Sequence, residues 1–145
     1  MKEFQIDDIA HIAQEVLARA KAAPSHATII TLSGDLGAGK TTLTQTIARE
    51  LGITESVISP TFVIMKIYEL TNQNWKHLVH IDAYRLDKEG EMLSLGWDKI
   101  ISDPENLVLV EWPERIAAII PKTTINVHLA HHGDTTRTVQ IEYNE

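Results

Sequence analysis

The chain has 145 residues, 43% of them hydrophobic, and a formal net charge of -7 from 20 acidic side chains set against 13 Lys and Arg. That length suits one domain over 1–145 with a real core. The lack of cysteine excludes disulfides and thiolate metal sites. No apolar run approaches membrane-spanning length. Lys and Arg are scattered singly, so direct, unaided binding of tRNA or DNA is disfavoured, although a basic partner surface could dock here. The start, Met1-Lys2-Glu3-Phe4-Gln5, does not read as a signal peptide, and a cytoplasmic location is expected.

Ile9, Ile12, Ala13, Val16, Leu17 and Ala20 recur at helical spacing. They predict a helix over 8–22, capped by Asp7 or Asp8 and ended by Pro24. Ala27–Leu32 is a β-branched apolar run, the pattern of a buried strand. Leu43, Ile47, Ala48 and Leu51 predict the next helix, closed by Gly52. A polar link over 53–60 leads into a strand over Phe62–Leu70. The turn residues Thr71-Asn72-Gln73-Asn74 then precede a strand over Lys76–Asp82. Two strands joined so briefly must be antiparallel, because a parallel crossover needs a dozen or more residues. The sheet is therefore expected to be mixed.

Residues 88–102 read as one helix, with Met92, Leu93, Leu95, Ile100 and Ile101 as its apolar stripe and Gly96 as a weak point. Leu107–Val110 is fully apolar, as in a central strand covered on both faces. A short helix is expected through Ile119. Thr124–Leu129 and Thr136–Glu142 form a closing hairpin around His132-Gly133-Asp134.

Between the Ala27–Leu32 strand and the helix that follows lies Gly34-Asp35-Leu36-Gly37-Ala38-Gly39-Lys40-Thr41, a match to G-x-x-x-x-G-K-[ST]. Glycines let the backbone curl so that consecutive N–H groups face a phosphate. The helix start adds its positive dipole end. Lys40 supplies charge to the outer phosphates, and the Thr41 hydroxyl can ligate Mg²⁺. Asp35, Leu36, Gly37, Ala38, Gly39, Lys40, Thr41 and Thr42 are thus the candidate nucleotide-binding residues. The fold class expected is α/β, a P-loop NTPase core with a mixed parallel/antiparallel sheet flanked by helices.

Phosphoryl chemistry also needs metal ligands, a water-orienting group and a γ-phosphate sensor. Asp82 and Glu111 each end a predicted strand, and ligands in open α/β sheets lie beyond the carboxyl ends of strands. Glu111 is assigned near the metal with Thr41, and Asp82 to orienting water. The spacing also allows the reverse assignment. Ser59-Pro60-Thr61 offers hydroxyls for the γ-phosphate, with Thr61 as the candidate. Arg85 reads as a structural ion-pair residue, and Trp112 as a packing or partner-facing aromatic. His77, His80, His128, His131 and His132 read as solvated side chains rather than metal ligands.

Taken together, the chain resembles the TsaE family, also called YjeE. The resemblance covers nearly the whole sequence. It rests on Gly34–Thr42, Ser59-Pro60-Thr61-Phe62, His80-Ile81-Asp82-Ala83-Tyr84-Arg85-Leu86, Leu95-Gly96 and Glu111-Trp112-Pro113-Glu114. It implies a P-loop core without a lid domain, ATP in the glycine loop with Mg²⁺, and Thr41 and Glu111 at metal-associated positions. It further implies that Asp82 is an acid needed for activity and that Ser59–Phe62 is a switch-like loop. Partners implied are TsaB and TsaD, in the formation of threonylcarbamoyladenosine on tRNA, with hydrolysis of ATP by a weak, partner-supported ATPase. The chain departs from the family in having little beyond its closing hairpin, which leaves adenine contacts from that end unassigned. Two other functions compete: a small-molecule kinase, and a nucleotide-gated binding module with no catalysis of its own. No Asn-Lys-x-Asp sequence is present to read guanine, which favours ATP or loose base selection.

Overall fold

A computed structural model describes residues 2–35, 38–55, 64–86 and 89–144. The described strands are β1 (Lys2–Gln5), β2 (Thr28–Ser33), β3 (Met65–Glu69), β4 (His77–Asp82), β5 (Asn106–Glu111), β6 (Thr124–His131) and β7 (Thr136–Asn144). The α-helices are α1 (Ile9–Arg19), α2 (Lys40–Glu50), α3 (Glu89–Ser94) and α4 (Trp97–Ser102), with 3-10 helices at Ile6–Asp8, before α1, and at Pro113–Ile119, between β5 and β6.

The strands form one sheet in the order β1-β7-β6-β2-β5-β4-β3. Its middle is parallel: β2 lies between β5 and β6, and β4 lies beside β5. Its margins are antiparallel, with β3 on β4, β7 on β6 and β1 on β7. The expected mixed sheet and both hairpins are therefore present.

Alternation along the central strands divides the core in two. Ile30, Leu32, Leu78, Leu107 and Leu109 face α1 and α2, where they meet Ile12, Val16, Leu43 and Ile47. Ile29, Val79, Ile81, Val108 and Val110 face the other way, onto Met92, Trp97, Ile100 and Ile116. Both faces of β2, β4 and β5 are covered, which explains their near-continuous apolar sequences.

Several expectations need correction. The first helix stops at Arg19, because Ala20 is already extended and the Lys21 carbonyl accepts the Thr28 hydroxyl instead of a helical N–H. The single helix over 88–102 is two helices. Gly96 sits at φ 93°, so Leu95 and Gly96 close one helix on Met92 and Leu93, while the Gly96 carbonyl opens the next. Leu93 and Leu95 are exposed rather than part of the apolar stripe, and Trp97 takes the core position. The short helix expected through Ile119 is present as a 3-10 helix, and β1 is an additional edge strand.

Candidate functional site

Three elements converge at the carboxyl end of the parallel strands. The first is the β2–α2 junction. Gly34 has φ 138°, and a Cβ built there would lie 2.2 Å from the Leu129 carbonyl oxygen on β6. Only glycine permits this approach. Gly39 has φ 107° and precedes α2, whose start has no side-chain cap; the first helical bond is Leu43 N–H to the Gly39 carbonyl. The N–H groups at the start of α2 have no helical acceptor, as an anion site requires. Thr41 and Thr42 are exposed beside them, and the Asp35 carbonyl accepts the Ala38 N–H at 3.1 Å. Leu36, Gly37 and Thr61, with the rest of Ser59–Phe62, lie outside the described residues.

The second element is Lys40, only 5% exposed. Its ammonium donates to the Gly34 carbonyl and lies 3.7 Å from the centroid of the Trp112 ring. Burial pushes its pKa below the ordinary lysine value; Glu111, and then Glu114, Asp82 and Asp35, pull it back up. The lysine is thus a partly desolvated cation facing acids.

The third element is the pair of strand-end carboxylates. Glu111 on β5 is in register with Leu32 on β2 and with Asp82 on β4. In parallel strands, register partners share a face, so Asp82 and Glu111 stand side by side under the α2 side of the sheet. They are 4% and 2% exposed. Asp82 Oδ1 accepts the Tyr84 N–H at 3.0 Å, a tight turn that fixes the end of β4. The Ala83 N–H continues the ladder to the Glu111 carbonyl at 3.0 Å.

Trp112 follows Glu111 with φ 58° and ψ 52°, a left-handed conformation uncommon for an aromatic residue. This backbone kink turns the indole onto Lys40 and, at 4.9 Å between centroids, against Tyr84. Arg115 lies 5.6 Å over the other aromatic of that pair, Tyr84. Trp112 is therefore a site residue that touches the lysine.

One expectation is overturned here. His80 is not solvated: it is 0% exposed, and its Nε2 lies 2.6 Å from Glu111 Oε2. The signal was present in the alternation, since His80 and Asp82 are two apart and share a face of β4. Its partner, however, comes from a different strand. The other histidines differ: His128 is exposed and contacts Ser33 Oγ at 2.9 Å, and His132 pairs with Glu3 at 2.8 Å.

These residues suit a magnesium–nucleotide. Mg²⁺ typically keeps several waters and takes one or two protein ligands along with phosphate oxygens. Two buried strand-end carboxylates and an exposed Thr41 would supply the metal ligands, and the uncapped helix start would take the phosphates. Among the described residues no cluster of three His, Asp or Glu exists that would cage a metal by itself.

The strand–glycine loop–helix unit, its lysine and the acids at the neighbouring strand ends define an α/β protein of the P-loop NTPase class. The family model described as "Threonylcarbamoyl adenosine biosynthesis protein TsaE" matches residues 5–139, and the chain belongs to this family. It is 40% identical to the tRNA threonylcarbamoyladenosine biosynthesis protein TsaE of Bacillus subtilis, over 77% of this chain and 66% of that protein. To the protein of the same name from Nostoc it is 41% identical, over 78% of this chain and 68% of that one. These matches span about two thirds of each relative's length. The crystal structure of Bacillus subtilis YdiB is similar with a TM-score of 0.74 and 30% identity, covering 99% of this chain and 87% of that one.

Proposed function

We propose that this chain binds and hydrolyses ATP with Mg²⁺ in the cytoplasm, as an accessory to threonylcarbamoyl modification of adenosine 37 in tRNA, acting with TsaB and TsaD. The observation that carries this reading is the convergence of Lys40, Asp82 and Glu111, all buried, on the open start of α2. Burying charges is costly and seldom stabilises a fold, so their gathering at one strand edge points to chemistry.

In this reading the α2 N–H groups and Lys40 hold the phosphates, and a phosphate competes with the Gly34 carbonyl and the Trp112 ring for the ammonium. The Thr41 hydroxyl and the Glu111 carboxylate hold Mg²⁺, which neutralises charge on the phosphate oxygens when bound. Asp82 orients the attacking water, and Thr61 senses the γ-phosphate. The net charge of -7 agrees with an accessory that leaves tRNA to its partners. The test is ATP turnover by the assembled complex carrying Lys40→Ala. Loss of turnover with the complex still formed is expected, and unchanged turnover refutes the site.

A further inference from the structure

We infer that His80 is a positioning residue for Glu111, holding one carboxylate oxygen so that the other is presented to the metal–nucleotide. The inference rests on the assignment of Glu111 to the metal. On the α2 face of the sheet, the register sets Leu32, Glu111 and Asp82 in one row, and Ile30, Leu109 and His80 in the row beneath. His80 reaches from the lower row of β4 to Glu111 in the upper row of β5. A carboxylate that serves a metal only accepts hydrogen bonds, so with Glu111 in that role Nε2 carries the proton and donates to Oε2. At 2.6 Å the two atoms are within hydrogen-bonding distance.

The other ring nitrogen, Nδ1, is buried without a hydrogen-bond partner among the described residues. His80 therefore spends its one internal bond on Glu111. A leucine would fill this row without leaving a polar atom unpaired, so the imidazole is not explained by packing.

Holding Glu111 has a second effect. Of the acids that act on Lys40, Glu111 acts most strongly. A carboxylate freed from His80 can turn toward the ammonium and compete with phosphate for it. The imidazole keeps the acid for the metal and the lysine for the anion.

The test measures ADP affinity by calorimetry with and without Mg²⁺, on the full chain and on His80→Leu, His80→Gln and His80→Asn. Glutamine sets its amide nitrogen near the position of Nε2, whereas asparagine reaches only as far as Nδ1. The gain in affinity from Mg²⁺ should fall about 10–100-fold in His80→Leu and His80→Asn. It should return to within about threefold of the parent in His80→Gln. A purely structural role would weaken metal-free and metal-bound states alike, or leave asparagine and glutamine equivalent, and either result overturns the inference. Absence of ADP binding by the parent chain in both conditions overturns the nucleotide assignment, and this inference with it. Should His80→Leu not fold, ¹⁵N NMR of the parent decides. The ring should show its proton on Nε2, with a resonance that moves in Glu111→Gln. A proton on Nδ1, or a resonance indifferent to that change, excludes the role.

Discussion

Strands β4 and β5 show opposite characters on their two faces. Toward α3 and α4 they start with His77 and Asn106 and then present Val79, Ile81, Val108 and Val110, apolar up to the carboxyl end. Toward α2 they begin with Leu78, Leu107 and Leu109, and then change to His80, Asp82 and Glu111. Both faces are buried, so solvent does not explain the difference. One face is built for cohesion at the carboxyl end of these strands. The other gives up cohesion within one turn of the phosphate loop, which is where a fold tolerates the cost of buried charge for function.

Substitutions on the two faces should therefore fail in different ways. The largest effect expected is at Lys40: Lys40→Ala, like Glu111→Gln, should lower ATP turnover in the assembled complex by a factor of at least about 10³ while leaving the circular dichroism spectrum unchanged. Retained turnover in either variant removes the distinction between the faces. Next comes Gly34→Ala, whose methyl group would collide with the Leu129 carbonyl in a backbone conformation that disfavours any side chain. A loss of roughly 3 kcal/mol or more in denaturant unfolding is expected, with nucleotide binding impaired together with stability.

On the cohesive face, Val110→Ala should cost about 1–3 kcal/mol of stability and leave the ADP affinity of the folded protein within about twofold. A large change in affinity there would show that the two faces are not separable. The smallest effect concerns pH. Lys40 is held below its ordinary value of 10.5 by burial, so between its folded pKa and 10.5 the unfolded chain binds more protons than the folded one. Stability of the parent relative to Lys40→Met should then rise with pH across that window. A relative stability that falls instead would mean that the acids outweigh burial.

The sequence made the site legible unevenly, and the reasons are physical. The phosphate loop is local: eight consecutive residues between a strand and a helix carry both its geometry and its charge. Asp82 and Glu111 were legible because each ends an apolar run, and strand ends have a fixed place in this architecture. Their standing side by side depends on β4 and β5 pairing in parallel, which no local pattern specifies. His80 reads as solvated for the same reason, since the partner that gives it meaning is 31 residues away. Trp112 reads from the sequence as a packing or partner-facing aromatic, and it does pack at the edge of the core, but its left-handed backbone and its place over Lys40 are tertiary facts. The break at Gly96 is foreshadowed by the glycine itself, whose positive φ divides the helix in two. β1 was invisible because only Phe4 of its four residues is buried, so no alternation stands out.

The continuous register Leu32–Glu111–Asp82 acts as a ruler. Adjacent strands lie about 4.8 Å apart, so the end of β4 stands about 10 Å from the end of β2, whatever the connecting segments do. Loops between these strands can lengthen, shorten or change composition without altering that span. The fixed quantity is the distance between glycine loop and carboxylates, set by main-chain pairing and therefore indifferent to most of the surface sequence.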